Sequence, residues 1–307
     1  NSPPLVAARH RRGSVCATQL GDAESIVGRA LPGMLLSQRR LPQAIVTGRK
    51  CSSCATVLES QLSNQSPMTS DSSALRTKIC GLTCPADAVA AVVAGPSAIG
   101  LNFFPKSKRY ITVEVAAEIA SVLPPSVLPV GVFVDENANE IAEICQTVPL
   151  SGVQLHGKET PEDLAAVREA IDEHLVIIKA LSTANASIEN LMQYIEECRR
   201  SNALPNFILL DAAVGDKAGA GEVADWDKAR EFVAAIRECR AHNSGQSAPD
   251  VVLAGGLSPA NVAAAIEAVK PDGVDVASGV EASPGSKDPR LMAEFVKAAQ
   301  SAFQGLS

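Results

Sequence analysis

The sequence predicts an α/β protein built on a single (β/α)8 TIM barrel over residues 75–307, preceded by a disordered N-terminal extension, residues 1–74. Three observations carry this reading. From Thr77 onward, strand-like and helix-like runs alternate eight times. The strand runs are almost continuously apolar, as in Val130-Gly131-Val132-Phe133-Val134 and Phe207-Ile208-Leu209-Leu210. Strands covered by helices on both faces look this way. Finally, the eight units occupy roughly 230 residues, the usual size of such a barrel. The alternative is an open doubly wound sheet, which has fewer strands and a Gly-x-Gly-x-x-Gly turn after the first. Cys80-Gly81-Leu82-Thr83 is not that turn.

The extension stands apart in composition. Its basic residues are Arg9, Arg11, Arg12, Arg29, Arg39, Arg40, Arg49 and Lys50, against Asp22, Glu24, Glu59 and Asp71. Ser and Pro are frequent and no helical or strand period persists. An Arg-rich, Ser-rich, acid-poor leader is the signature of an organelle transit peptide. The alternative is a stretch upstream of a natural start at Met34 or Met68. The expected location is accordingly the cytoplasm, or a plastid if the leader is a transit peptide.

From there the elements follow in order. Strand candidates are residues 77–82, 98–104, 129–135, 152–157, 176–181, 207–212, 251–257 and 273–279. Between and after them, residues 85–94, 112–121, 138–147, 161–171, 187–199, 226–239, 259–269 and 288–303 carry apolar residues at helical spacing in Ala- and Glu-rich sequence. Pro85, Pro161 and Pro259 sit where a first helical turn accepts proline. Thr160 and Ser258 precede two of them as expected N-caps.

Composition bounds the function. Of 307 residues, 46% are hydrophobic and only 3% aromatic, so Ala, Val, Ile and Leu build the core. A net charge of -7 argues against a nucleic-acid surface. No apolar run reaches the ~18 residues that mark a membrane span. The 8 cysteines are scattered like free thiols in a reducing compartment, not like a disulfide framework. Cys51-Ser52-Ser53-Cys54 lacks a second pair at zinc spacing, so no metal is expected.

In a barrel, chemistry sits at the carboxyl ends of the strands. Those ends contribute Cys80, Asn102, Asp135, His156, Lys179, Asp211, Gly255-Gly256 and Ser278-Gly279. Cys80 reads either as a small buried apolar residue or as a base or nucleophile, which requires a thiolate. Lys78, two residues earlier on the same side of the strand, can favour that thiolate. Asp211 ends the most apolar strand, where a carboxylate is costly unless it is paired or used. The glycines of Ala254-Gly255-Gly256-Leu257 and Ala277-Ser278-Gly279-Val280 either make tight turns or let backbone N–H groups approach a phosphate. Pro105-Lys106-Ser107-Lys108-Arg109-Tyr110 is a basic loop, either solvated or holding cations over the site; Arg suits a bidentate grip on a carboxylate. The long loop from Ala213 to Glu222 is a lid or an idle connection.

Together these stretches resemble the phosphoribosylanthranilate isomerase family of tryptophan biosynthesis. The resemblance runs in order through Lys78-Ile79-Cys80-Gly81-Leu82-Thr83, Asn102-Phe103-Phe104-Pro105-Lys106-Ser107-Lys108-Arg109-Tyr110-Ile111 and Val153-Gln154-Leu155-His156-Gly157. It continues through Leu209-Leu210-Asp211, Leu253-Ala254-Gly255-Gly256-Leu257-Ser258-Pro259 and Gly273-Val274-Asp275-Val276-Ala277-Ser278-Gly279-Val280-Glu281. It implies a single barrel without metal or organic cofactor, a monomer or homodimer, acting on a phosphorylated small molecule. The implied reaction is the Amadori rearrangement of N-(5-phosphoribosyl)anthranilate to 1-(o-carboxyphenylamino)-1-deoxyribulose 5-phosphate. By that resemblance Cys80 is the general base, Asp211 the general acid and Arg109 the grip on the anthranilate carboxylate. Gly255, Gly256, Ser278 and Gly279 form phosphate loops, joined by Gly219 and Gly221 of the loop after the sixth strand. His156 then falls back to a supporting role and Lys179 to a structural one.

That loop departs from the family pattern of Gly-Gly-Ser/Thr-Gly-Lys. Ala218, Ala220 and Glu222 replace its first Gly, its hydroxyl residue and its cation. The departure implies weaker phosphate affinity with the chemistry retained, or else a barrel that only binds a phosphorylated ligand. A third reading, a pentose-phosphate epimerase, requires His and Asp metal ligands on several strand ends, and of 4 His only His156 is so placed.

Overall fold

The computed structural model describes residues 75–183, 186–211, 225–242 and 248–306. The expected extension, residues 1–74, and the loop carrying Ala218, Gly219, Ala220, Gly221 and Glu222 lie outside the described residues.

Eight parallel strands close into a barrel in sequence order. They are β1 (Thr77–Cys80), β2 (Ala98–Asn102), β3 (Leu128–Phe133), β4 (Gly152–Leu155), β5 (Val176–Ser182), β6 (Phe207–Asp211), β7 (Asp250–Ala254) and β8 (Gly273–Val276). A helix follows each: α1 (Pro85–Ala94), α2 (Val113–Ser121), α3 (Ala138–Thr147), α4 (Pro161–Ala170), α5 (Ile188–Arg200), α6 (Trp226–His242), α7 (Val262–Val269) and α8 (Pro289–Gly305). Between β8 and α8 lie a 3-10 turn, Ser278–Val280, and a two-stranded hairpin, β9 (Glu281–Ser283) with β10 (Ser286–Lys287). The closing seam pairs Lys78 of β1 with Asp275 of β8.

Strand alternation sorts the core into two layers. Ile79, Leu101, Phe133, Ile177, Ile208 and Leu210 point outward and pack under the helices. Ala98, Val130, Ile178, Ala180, Phe207, Leu209, Val252 and Ala254 point inward and fill the barrel. The inward parity continues upward to Cys80 and Asp211, so the chain's apolar plug ends where its polar residues begin.

Local chemistry sets the helix starts. Thr160 caps α4 with Pro161 in its first turn, as expected, and Asp163 bonds back to complete a reciprocal capping box. Pro85 also opens α1. Ser258 and Pro259 do not open α7, which starts only at Val262 with Asn261 at its N-cap position. Asn261 accepts from the Ser258 N–H at 2.7 Å and donates to the Gly256 carbonyl at 3.0 Å, folding Ser258–Asn261 into a turn instead. Several strands also stop short of the apolar runs. After β2, the Asn102 side chain accepts from the Phe104 N–H at 2.9 Å and turns the chain out of the sheet. After β8, Ser278–Val280 tightens into the 3-10 turn.

Candidate active site

Cys80 is the last residue of β1 and is 9% exposed. Its neighbour across the sheet is Gly100. A Cβ at Gly100 would stand 2.5 Å from the Cys80 Sγ, so the glycine leaves the thiol its space. One layer below, the fully buried Lys78 Nζ donates to Asp275 Oδ1 at 3.0 Å. Burial opposes the Lys78 charge, but Asp275 and Cys80 together hold the ammonium above its ordinary value. Burial pushes the Cys80 thiol up; Lys78 and Lys287 pull it down and Asp275 adds to the rise, leaving it above the ordinary thiol range. Lys78 therefore opposes the effect of burial on Cys80 without overcoming it.

Asp211 ends β6, which reaches β1 round the barrel by way of β7 and β8. Its side chain is 30% exposed at the mouth, and Oδ2 lies 4.0 Å from His156 Nε2. The buried Gln154 amide lies 2.7 Å from His156 Nδ1. With that amide donating, the ring proton sits on Nε2 and faces Asp211. The low-dielectric barrel mouth pushes the imidazole below its ordinary range, against the pull of the Asp211 carboxylate. His156 Nε2 is thus oriented toward the expected acid.

Of the basic loop's cations, Lys106 and Lys108 are exposed, and only Arg109 turns inward. Its stem crosses Gly81, where any Cβ would overlap it. Its guanidinium donates from Nε to Glu281 Oε1 at 2.6 Å and from Nη2 to Oε2 at 2.8 Å. Lys287 Nζ also reaches Glu281 Oε1 at 3.0 Å and the Ala277 carbonyl at 2.9 Å. Burial alone would raise the Glu281 carboxyl; the bonds from Arg109 and Lys287 outweigh it and hold it below the usual carboxylate range.

The two expected phosphate loops touch. Gly255 and Gly256 have φ of 93° and 65°, a left-handed run that side chains resist. Gly279 lies so close to the Leu257 carbonyl that a Cβ there would overlap it. A depression of about 520 Å³ beside this contact is lined by Ser258, Gly279 and Arg290, among others. Among the described residues, no three His, Cys, Asp or Glu side chains cluster as metal ligands would.

Residues 77–298 match the family model described as N-(5'phosphoribosyl)anthranilate (PRA) isomerase. The chain belongs to that family. It is an isomerase of tryptophan biosynthesis on a TIM-barrel fold. It is similar to N-(5'-phosphoribosyl)anthranilate isomerase of Thermotoga neapolitana, 38% identical over 227 residues, covering 74% of this chain and 98% of the other. The crystal structure of the Thermotoga maritima enzyme superposes with a TM-score of 0.61 at 37% identity, covering 74% and 99%. Another isomerase structure, in complex with reduced 1-(o-carboxyphenylamino)-1-deoxyribulose 5-phosphate, gives 0.59 at 36% identity with the same coverage.

Two of the remaining strand-end candidates, Lys179 and Asp135, hold the loop after β4. Lys179 is buried and donates to Glu159 at 2.7 Å and to the Gly157 carbonyl at 2.9 Å, holding the loop after β4. Asp135 accepts from the Lys158 N–H in that same loop. Sequence reasoning gave no role to Asp275, Gly100, Gln154, Glu281 or Lys287. Asp275 carried a signal, an acid inside the apolar run Gly273-Val274-Asp275-Val276, the same signal that marked Asp211. Glu281 and Lys287 carried none, because only the hairpin brings them to Arg109.

Proposed function

We propose that this site performs the Amadori rearrangement of N-(5-phosphoribosyl)anthranilate, with Asp211 as general acid and Cys80 as general base. The observation that supports it best is placement: both side chains end inward-facing strands at the carboxyl end of one barrel, in a chain of this family. Asp211 gives its proton to the ribose ring oxygen, the C1′–O bond breaks, and the anthranilate nitrogen lone pair forms the C1′=N bond. The Cys80 thiolate then takes the C2′ proton, and the electrons of that C–H bond form the enolamine. C1′ then takes up a proton while the enol O–H at C2′ gives one up to become the ketone, and the proton gained by Cys80 balances the one given by Asp211, so no atom is gained or lost. Lys78 supplies the positive charge beneath the thiolate. Arg109 faces the anthranilate carboxylate, while Gly255, Gly256, Ser278 and Gly279 present backbone N–H groups to the phosphate.

The test is turnover by the full chain of substrate generated in situ, followed by the fall in anthranilate fluorescence. Cys80→Ser and Asp211→Asn are each expected to lose at least about 100-fold in kcat, the weight of one positioned proton-transfer group. Full activity in Cys80→Ser removes the base assignment. A folded parent that binds the reduced product yet never turns over points to a ligand-binding barrel.

A further inference from the structure

We propose that Glu281 is a positioning residue for recognition of the substrate's aromatic carboxylate, acting through Arg109 and balanced by Lys287; this rests on the reading of Arg109 given above. A guanidinium has five N–H donors arranged on flat edges. Glu281 takes one edge, Nε with Nη2. Among the described residues, no hydrogen bond is made by the end-on edge, Nη1 with the second Nη2 hydrogen, which suits a second carboxylate. The Glu281 side chain is 5% exposed and the Arg109 side chain 26%, so the occupied edge is the buried one.

A glutamate against the binding arginine would ordinarily compete with the substrate for its charge. Here Lys287, whose side chain is fully buried, offsets it. Two cations around one carboxylate leave a net positive charge on the group, and the end-on Arg109 edge is where an anion can meet it. The arginine is therefore oriented before substrate arrives, without being neutralised.

The hairpin fixes the arrangement in space. Thr83, after β1, donates to the Gly285 carbonyl at 2.6 Å. The Lys287 N–H donates to Asp87 in the first turn of α1 at 3.0 Å. Gly285, with φ 85°, passes so close to the Lys108 carbonyl that a Cβ would stand 2.9 Å from it. One hairpin thus sets the loop after β1, the loop after β2 and Glu281 in a common frame.

The experiment compares two ligands, reduced 1-(o-carboxyphenylamino)-1-deoxyribulose 5-phosphate and the same compound without its ring carboxylate. The ratio of their Kd values reads the carboxylate grip alone. Arg109→Met is expected to abolish the preference for the carboxylated ligand. Glu281→Gln is expected to lose roughly tenfold of it, the weight of a charge-assisted contact, with KM rising and kcat little changed. Adding Glu281→Gln to Arg109→Met is expected to change the ratio no further. If Glu281→Gln folds poorly because Lys287 is left buried, Glu281→Gln with Lys287→Met removes both charges and is expected to lose the same preference. An unchanged ratio in the glutamate variants, with Arg109→Met losing it, overturns the proposal. An unchanged ratio in Arg109→Met overturns the reading of Arg109 itself.

Discussion

At the scale of the residue, the proposed rearrangement turns on how a thiol becomes a base inside a barrel. Burial raises Cys80, and Lys78 is the largest opposing influence, ahead of Lys287. The mechanism needs the Cys80 thiolate together with a protonated Asp211, so kcat/KM should follow a bell-shaped pH profile with one limb set by Cys80. Removing Lys78 alone would strand Asp275, a defect that costs about 3–5 kcal/mol in buried pairs. The paired change Lys78→Met with Asp275→Asn avoids it. That variant should keep its fold and show the Cys80 limb of the pH–kcat/KM profile displaced to higher pH, because the stronger of the two influences on the thiol is the one that lowered it. An undisplaced profile would mean that Lys78 has no hold on the base. Cys80 and Asp211 were legible in sequence as polar ends of apolar runs. The Lys78–Asp275 pair was half legible, since each residue is odd for its strand but their meeting spans 197 positions.

At the scale of the element, local rules located the helices and failed where a side chain intervened. Thr160 and Pro161 follow the rules and α4 starts on them. Ser258 and Pro259 make the same pattern, yet Asn261 wins by capturing the Ser258 N–H and the Gly256 carbonyl together. Competition between a side chain and the backbone for one hydrogen bond is invisible to helical periodicity. The turn it makes also shapes the glycine loop, which links a local detail to ligand binding. Asn261→Ala should cost about 1 kcal/mol of stability, as lost caps and turn bonds do. It should also weaken binding of the reduced phosphorylated product while leaving the carboxylate preference intact. Calorimetry on the two ligands checks both. Equal binding to the parent would separate the turn from the phosphate loop.

At the scale of the whole molecule, the buried charges and thiols bracket stability on both sides of neutral pH. Glu281 is held below the usual carboxylate range, so its contribution is present above that range and is lost as pH falls through its depressed value. Cys145 and Cys198 are pushed up to about 11 by burial, so the unfolded chain ionises first and stability falls as pH rises from the ordinary thiol range toward that value. Melting temperature against pH should therefore fall away at both ends, and Glu281→Gln should flatten only the acid side. The barrel as a whole was legible because eight apolar runs repeat, but its seam was not. Nothing in a run of four residues says which distant run will lie beside it. That seam has a consequence for how the protein is made. Lys78 leaves the ribosome about two hundred residues before Asp275, judging by their separation of 197 positions. Until the last barrel strand emerges, a nascent chain carries Cys80 beside a lysine whose partner Asp275 is not yet made. A pair begun in the first barrel strand is completed by the last barrel strand, and oxidants in the cell have that interval in which to reach the thiol.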